Sequence, residues 1–427
     1  MITSHPQRET LHNEVHARPY ERMTAPFALT HIGLMGAAGD STREHLNQLL
    51  RSRHLPLVAE QASHLSTEVG PLRLRWEKHT EFDTLTFWRS LSGSVPGFEA
   101  GPLPDPPRDW LHGLPGQWLI GLHVLVLQHD PEDDEALPAL IRRSLDEDTL
   151  VAASVMDGQA TIYTDFQLHA DGYGRWIIEV RGMNPRRLGR AVQRVLEVET
   201  YRMMALLGLP AAREVGAALV TAERELAEVA ELIRGSHRQE EPELLRRLTQ
   251  LAAQVEGLYA RTHARFSASA AYFELVQRRI VELEEEREHG LQTLGEFMDR
   301  RLSPAMQTCA WAARRQQALS ERISRSSNLL RTRVEIEQQQ SSQALLDAMN
   351  RRQEAQLLLQ SAVEGLSVAA ITYYGVGLLG YLSKGLIKAL GLNLSPDLIM
   401  AAGVPLIALS VWSGIRRLHH RVMASMH

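Results

Sequence analysis

Apolar and polar residues alternate along much of residues 1–182, and this period of two is typical of β-strands that bury one face. Helices with a wider apolar spacing are predicted between the strands, at residues 41–53 and 135–145. The predicted strands lie around residues 27–31, 72–87, 118–128, 150–156, 160–168 and 173–180. We therefore predict an α+β domain over residues 1–182, with a mainly antiparallel sheet that two β-α-β-β units could build.

Two Asp-Gly pairs separate the last predicted strands of this domain. Asp157-Gly158 precedes one strand, and Asp171-Gly172 precedes the next. Glycine tolerates the positive φ angles that tight hairpin turns require. Each pair therefore predicts a turn between neighbouring antiparallel strands.

The spacing becomes helical from Pro185 onward. A helix over Arg186–Leu207 is predicted to end at Gly208 and Pro210, because glycine suits helix ends and proline cannot continue a helix. Further on, apolar residues recur with a four-three spacing that is typical of helices packed on helices: Leu244, Leu248, Leu251, Val255 and Leu258. We predict a helical bundle or coiled coil over residues 183–302.

A second long helix is predicted to begin at Ser303-Pro304, because serine caps helix starts and proline suits the first helical position. It would form a stalk over residues 303–362. The acidic run Glu282–Glu288, just before it, is interpreted as a solvated helical face.

Two uncharged segments dominate the end of the chain, Gly365–Ser383 and Leu398–Ile415. Helices of about 20 apolar residues match the hydrocarbon thickness of a bilayer, and they satisfy all their own backbone hydrogen bonds. Residues 363–427 are therefore predicted to form a two-helix transmembrane hairpin with a short basic tail. The fold class is thus an α+β domain, then long helices, then a membrane hairpin.

Charge and composition set the expected compartment. The net charge of −5 gives no overall basic character, so no nucleic-acid partner is expected. A single cysteine, Cys309, fits a reducing compartment and is expected to be buried among apolar residues. The polar start of the chain lacks the apolar run of a secretory signal. With basic residues flanking the hairpin, both termini are expected in the cytoplasm, with the hairpin in the inner membrane.

Small residues recur within the two uncharged segments at spacings that let helices approach closely in lipid. These predicted packing positions are Gly365, Ala369, Gly375, Gly377, Gly380, Ser410 and Gly414. They favour a homo-oligomer in the membrane.

A run of charged residues in the first domain is the leading candidate for chemistry. If it is extended, Glu77, His79 and Glu81 share one face, because strand side chains alternate. Two carboxylates beside an imidazole could hold a divalent cation, with Asp165 or His16 completing the shell. No other cofactor is predicted. The simpler interpretation is a solvated outer face opposite the apolar Trp76 side.

Arg187, Arg190 and Arg194 form a basic stripe on the predicted Arg186–Leu207 helix. Such a stripe could contact phosphate or anionic lipid. The alternative is ion pairing with Glu197, Glu199 and acidic residues of neighbouring helices.

Several strings of the sequence resemble the bacterial domain-of-unknown-function 3422 family, which is described as membrane-anchored. The resemblance covers nearly the whole chain and implies anchoring, but it implies no activity. The strings are Asn13–Pro19, Arg75–Phe82, Thr164–Phe166, Glu197–Arg202, Arg265–Ser269 and Val363–Ala370.

The layout also resembles magnesium transporters of the CorA type, in which an α+β domain and a long helix precede two C-terminal spans. That family closes its first span with Tyr-Gly-Met-Asn. The nearest match here, Tyr374-Gly375-Val376-Gly377, lacks the asparagine and lies in mid-span. The resemblance is therefore one of architecture.

Three functions follow from these patterns. The favoured one is a membrane-anchored scaffold that self-associates and binds a protein partner. The second is an oligomeric ion channel or transporter, although the spans lack the ionisable residues that transport usually requires. The third is a metal-dependent enzyme in the α+β domain, for which no nucleophile with its base is evident.

Overall fold

The computed structural model describes residues 4–9, 11–12, 19–37, 39–92, 97–98, 108–132, 135–235, 240–390 and 395–424. The chain divides into two compact units, Met1–Ser327 and Asn328–His427. The first unit holds a β-sheet with helices on both faces. Among the described residues of the second unit, all but Ser395 are helical.

The described part of the first unit has one sheet, ordered β2-β3-β4-β1-β5-β8-β7-β6-β9. Neighbouring strands are antiparallel except β5 and β8, which are parallel, so the sheet is mixed. The strands are β1 (Phe27–Met35), β2 (His64–Val69), β3 (Leu72–Lys78), β4 (Phe82–Ser90), β5 (Gln117–Gln128), β6 (Val151–Val155), β7 (Ala160–Thr164), β8 (Gly174–Val180) and β9 (Glu286–Arg287).

The two halves of the sheet each follow the order β-α-β-β-β, one strand more than the predicted β-α-β-β unit. The strand missing from the prediction in the first half is β2. The segment predicted as one strand over residues 72–87 is two strands, because the backbone N–H of His79 donates to the carbonyl of Phe82 (2.8 Å) and turns the chain. The halves also differ in direction, since β1 is antiparallel to β4 whereas β5 is parallel to β8.

Helices cover both faces of the sheet. On one face, α1 (Ser41–Ser52) and α3 (Ala136–Ser144) bury Leu46, Leu49 and Leu140 against the strands; the short α2 (Arg108–His112) lies between them in the chain. On the other face, α4 (Pro185–Leu206) packs through a row of apolar residues, including Leu188, Val192 and Val195. Alternation of apolar and polar residues usually indicates a sheet with one solvated face. Here helices cover both faces, so neither face is fully solvated.

Three more helices follow α4: α5 (Gly208–Gly235), α6 (Glu241–Leu283) and α7 (Leu294–Leu390), and then α8 (Pro396–Ala424). Helix α4 ends at Leu206, close to the predicted position, but Gly208 and Pro210 do not stop the helical path, because α5 begins at Gly208. The predicted seam on α6 is buried at Leu244, Leu248, Leu251 and Val255, with Leu258 partly buried. Helix α5 lies alongside α6 and buries its own apolar row, including Leu219 and Leu226.

The start of α7 was predicted at Ser303-Pro304, and this is wrong. The helix begins at Leu294, and Pro304 lies inside it. Thr293 and Glu296 form a reciprocal cap, because the Glu296 carboxylate accepts from the Thr293 N–H (3.1 Å) and the Thr293 hydroxyl accepts from the Glu296 N–H (3.2 Å). This cap supplies the helix start that the later serine was expected to give.

The acidic run Glu282–Glu288 does not form a solvated helical face, in contrast to the prediction. Helix α6 ends at Leu283, and Glu284 adopts a left-handed conformation. Glu285 then accepts hydrogen bonds from the backbone N–H groups of Leu294 and Gly295 (both 2.9 Å). A carboxylate at a helix N-terminus is favoured by the helix dipole, so this residue helps to start α7.

Three helical stretches among the described residues are long and apolar enough to cross a membrane: Pro185–Gly235, which comprises α4 and α5, Leu294–Leu386 and Asp397–Arg417. In the first, 33% of the most apolar stretch is buried within the protein, compared with 0% and 6% in the other two. The last two contain the predicted spans 365–383 and 398–415. Large side chains there are open to the surroundings, with Leu366, Tyr373 and Tyr381 each more than three-quarters exposed.

Candidate functional site

A polar cavity of about 380 Å³ lies between the sheet and helix α4 in the first unit. Strands β1, β3 and β4 supply His31, Arg75, Glu77 and Thr84, while α4 and α6 supply the opposite wall. Such a concentration of polar groups beneath a helix is unusual for a core layer, which makes the cavity the leading candidate site.

Alternation along β3 explains why charged residues lie here. Leu74 and Trp76 point into the apolar core on the α1 side, so Arg75 and Glu77 point to the opposite face. The simpler interpretation of this face as a solvated outer surface is wrong. Glu77 is only 6% exposed, because helix α4 covers that side of the sheet.

Arg75 and Glu77 form an ion pair inside the cavity. Arg75 Nη2 donates to Glu77 Oε1 over 2.9 Å, and both side chains are more than nine-tenths buried. Removing two charges from water is costly unless their hydrogen bonds are satisfied. Within the pair, the positive charge of Arg75 and the negative charge of Glu77 cancel. The single hydrogen bond between them leaves further donors on Arg75 and a second acceptor oxygen on Glu77.

His31 lies beside this pair on the central strand β1. Its Nδ1 contacts the hydroxyl of Thr86 (2.8 Å), and its Nε2 contacts the hydroxyl of Thr200 on α4 (3.1 Å). Burial, with repulsion from His79 and Arg75, lowers the pKa of His31 to about 3. The imidazole is therefore neutral at physiological pH and joins the sheet to the helix.

The helical wall of the cavity carries a second charged pair, Glu197 and Arg279, which are in direct contact. Gln193 also donates to Glu197 Oε1 (2.9 Å), and Arg279 donates to Glu282 (3.0 Å). These groups satisfy one another. Burial, the first of several causes, raises the pKa of the nearby Tyr201, so its phenol is protonated at neutral pH.

The predicted metal ligands are only partly brought together. Glu77 and His79 line the same cavity. Glu81 instead accepts from Arg265 Nη2 (3.1 Å), and Asp165 pairs with His169 (3.0 Å), while His16 lies outside the described residues. Over the described ranges, no group of three His, Cys, Asp or Glu side chains is placed to hold a metal ion. The divalent-cation site stays a prediction.

Asp165 organises a turn after strand β7. Its carboxylate accepts from the backbone N–H groups of Asp146 and Gln167, both over 3.0 Å. The next residue, Phe166, has a φ of 52°, which few side chains adopt. The Thr164–Phe166 string thus fixes a bend in the chain beneath helix α7, where Phe166 stacks on Phe297.

The arginine stripe on α4 is largely engaged in ion pairs. Arg187 contacts Asp157, and Arg194 Nε donates to Glu282 (3.1 Å). Arg190 is exposed. Glu282 is an acidic residue of a neighbouring helix, as the ion-pairing alternative predicted, whereas Glu197 and Glu199 pair with Arg279 and Arg202 instead. Contact of this stripe with phosphate or anionic lipid stays a prediction.

The predicted packing positions of the hairpin fall into two groups. A Cβ added to Gly375 would lie 3.0 Å from Ile407, and one added to Gly380 would lie 2.6 Å from Met400, so these two glycines allow α7 and α8 to approach. Gly365, Gly377 and Gly414 have open space around them, and Ala369 and Ser410 are exposed.

Sequence reasoning did not select Arg75, His31, Thr200 or Arg279 as site residues. A signal for the first was present, because Arg75 shares the face of Glu77 on an alternating strand. The others come from segments far apart in the chain, and single-sequence patterns carry no information on their contact. Cys309 is buried as expected, and burial raises the pKa of its thiol.

The fold and the cavity define a class of protein with a mixed-sheet domain, a polar cavity under a helix, and long helices ending in an apolar hairpin. The chain belongs to the family described as protein of unknown function (DUF3422), whose model matches residues 3–422. This match shows the family that the sequence strings indicated. No curated protein matches the chain.

Proposed function

We propose that this protein is anchored in the inner membrane by a hairpin of α7 and α8, with both termini in the cytoplasm. The carrying observation is the exposure of large apolar side chains on both uncharged segments. Leu366 is 76% exposed and Tyr381 is 82% exposed, and Leu398 and Leu406 are each 70% exposed. Apolar surface of this extent is stable in lipid and is rarely tolerated in water.

The remaining apolar stretch, Pro185–Gly235, which comprises α4 and α5, is better explained as part of the first unit. Its residues Val192, Val195 and Ala205 are buried in the core cluster that joins the sheet to the helices. It also carries the buried Glu199, which pairs with Arg202. Burial against protein removes the need for lipid, so the hairpin supplies the anchor.

A fragment ending at Gln360 tests this anchor, because it removes both uncharged segments. We expect the full chain in the membrane fraction and the fragment in the soluble fraction. A fragment that still fractionates with membranes would show that another surface provides the attachment.

We further propose that the hairpin associates with a second copy, so that the protein acts as a scaffold for a protein partner. A groove of about 760 Å³ runs along the hairpin and is lined by Gly365, Ala369 and Gly377. Small residues that meet nothing within one chain leave room for a neighbouring helix, and close packing of this kind drives association in lipid.

Native mass spectrometry of the protein in detergent tests whether copies of the chain associate. We expect a defined oligomer for the wild type and its loss in a Gly365→Leu, Gly377→Leu variant. The control is Leu366→Ile, which retains side-chain volume next to Gly365. A monomeric wild type, or an oligomer unaffected by the double substitution, would contradict the proposal.

A second candidate, an oligomeric channel, is favoured by the continuity of α7. This helix begins in the first unit at Leu294 and includes the whole first uncharged segment. A ring of such helices could line a pore, as in the CorA-type layout. Flux of Mg²⁺ or monovalent cations into vesicles containing the purified protein would favour the channel, and absence of flux for all of them would favour the scaffold.

A further inference from the structure

The Arg75–Glu77 pair has unused bonding capacity directed at the cavity. A guanidinium has five N–H donors. Within the described ranges, the hydrogen bond of Arg75 Nη2 to Glu77 is the only one that this side chain makes. Arg75 lines the cavity, and none of its side-chain nitrogens is fully enclosed without a hydrogen-bond partner. Its remaining donors therefore face the cavity. The same holds for the second carboxylate oxygen of Glu77.

Other charged groups in the cavity wall are already satisfied. Glu197 accepts from both Gln193 and Arg279, and Arg279 also donates to Glu282. The free capacity is therefore a cationic donor next to an anionic acceptor on one strand. A simple anion would meet the Glu77 carboxylate, and a simple cation would meet the Arg75 guanidinium.

A ligand with opposite charges a few ångströms apart complements both groups. We propose that this cavity binds a free α-amino acid, with its carboxylate on Arg75 and its ammonium on Glu77. Arg suits carboxylates because its planar donors can bind both oxygens. The cavity volume of about 380 Å³ lies at the lower end of the range of about 300–1,000 Å³ that is usual for small-molecule sites.

An adjoining cavity of about 460 Å³ provides room for the side chain of the ligand. It shares His79, Phe82 and Tyr201 with the first cavity and is bounded further out by Tyr272. Phe82 and Tyr272 meet edge to face, with ring centroids 6.1 Å apart. This aromatic wall favours amino acids with large side chains over glycine.

Binding to the purified full chain in detergent micelles tests the site. Each protein amino acid is titrated at up to millimolar concentration, with heat release as the readout. We expect saturable binding of at least one large amino acid. Its N-acetyl derivative lacks the ammonium group, and its decarboxylated amine lacks the carboxylate. Each should bind with an affinity at least about tenfold lower. These probes use the wild-type protein, so the result does not depend on a variant that folds.

The Glu77→Gln variant provides the residue-level test. It retains the side-chain shape, and we expect about a tenfold loss of affinity for the amino acid. Glu256→Gln, on the exposed side of α6, is the control and should bind as the wild type does. The proposal is overturned if no amino acid binds, if the singly charged probes bind equally well, or if a folded Glu77→Gln protein retains full affinity. None of these outcomes bears on membrane anchoring.

Discussion

His31 on strand β1 and Thr200 on helix α4 share a hydrogen bond of 3.1 Å that joins the sheet to the helix covering it. The Thr200 hydroxyl gives its single proton to the carbonyl of Leu196 (2.7 Å), so it must accept from His31 Nε2. His31 Nδ1 then accepts from Thr86 (2.8 Å). The imidazole is therefore held as the neutral Nε2–H tautomer by one partner on each side.

This arrangement predicts that acid destabilises the first unit. The folded-state pKa of His31 is about 3 and that of His123 is about 4, mainly through burial, whereas an unfolded histidine titrates near 6.5. As pH falls below about 6.5, His31 and His123 bind protons in the unfolded chain but stay neutral in the folded chain. The free energy of unfolding should then fall by about 1.4 kcal/mol per pH unit for each group.

The His31→Gln variant should lose one such contribution and show a shallower pH dependence. Urea unfolding of the detergent-solubilised chain between pH 7 and about pH 5 would measure this, with fluorescence of the buried Trp76 and Trp176 as the signal. His289→Gln, at an exposed position, serves as control. An unchanged slope in the His31 variant would show that the pKa of this imidazole is the same in the folded and unfolded chains.

Capping of α7 gives a second prediction, which separates the structure from the sequence pattern. Thr293→Ala should reduce the free energy of unfolding by about 1 kcal/mol, because the N–H of Glu296 loses its acceptor. Ser303→Ala should change it little, since Ser303 lies inside the helix and bonds only to the exposed Asp299 within the described residues. Chemical denaturation of both variants decides the matter. The opposite ranking would place the helix start at Ser303.

Thr293 and Ser303 show where local sequence patterns predict the fold and where two such patterns compete. The strands around residues 27–31, 118–128, 150–156, 160–168 and 173–180, the two Asp-Gly turns and the end of α4 at Leu206 follow from signals within a few residues, and these were predicted correctly. Strand β2 was not predicted, and residues 72–87 were predicted as one strand although they form two. The start of α7 also had a local signal, Thr293 followed by Glu296, but the Ser-Pro pair further on is a competing signal of the same kind. Glu285, which completes the cap, comes from the preceding loop and has no local pattern.

Gly189 on α4 is predicted to be intolerant of any side chain. A Cβ there would lie 1.8 Å from the carbonyl oxygen of Glu21, and that segment is tied to α4 by the bond from Met23 N–H to the Pro185 carbonyl (3.0 Å). Gly189→Ala should therefore lower the free energy of unfolding by about 2 kcal/mol or more.

Gly216→Ala on α5 is the matched control for Gly189. A Cβ there meets nothing within 4 Å, and alanine is the better helix former, so stability should rise by up to about 1 kcal/mol. Urea denaturation measures both changes. If the two substitutions had the same sign, close backbone approach at Gly189 would not be the cause.

The hairpin should depend on Gly403, which no sequence pattern singled out. Its added Cβ would lie 2.6 Å from Leu379 Cδ2, so Gly403→Val should displace the Leu379 side chain and loosen the packing of α7 on α8 in this unit. We expect a thermal midpoint in detergent lower than that of the wild type by several degrees. Gly385→Val, where nothing lies within 4 Å, should leave the midpoint close to wild type. Equal effects of both variants would argue against the hairpin contact.

The candidate site was less accessible to prediction than the fold. Alternation placed Glu77 on a face opposite Trp76, which is correct. Whether that face is wet or buried depends on α4, whose docking is set by apolar contacts across the whole sheet. Glu81 and Asp165 were grouped with Glu77 by residue type, but each has its own partner, Arg265 and His169.

Alkaline carbonate extraction of membranes containing the full chain tests the central claim most directly. The treatment releases peripheral proteins but not helices that span the bilayer. The exposed apolar surfaces of Leu294–Leu386 and Asp397–Arg417 predict that the protein stays in the membrane pellet and needs detergent to dissolve. Release of the intact chain into the carbonate supernatant, in a form soluble without detergent, would contradict the membrane hairpin.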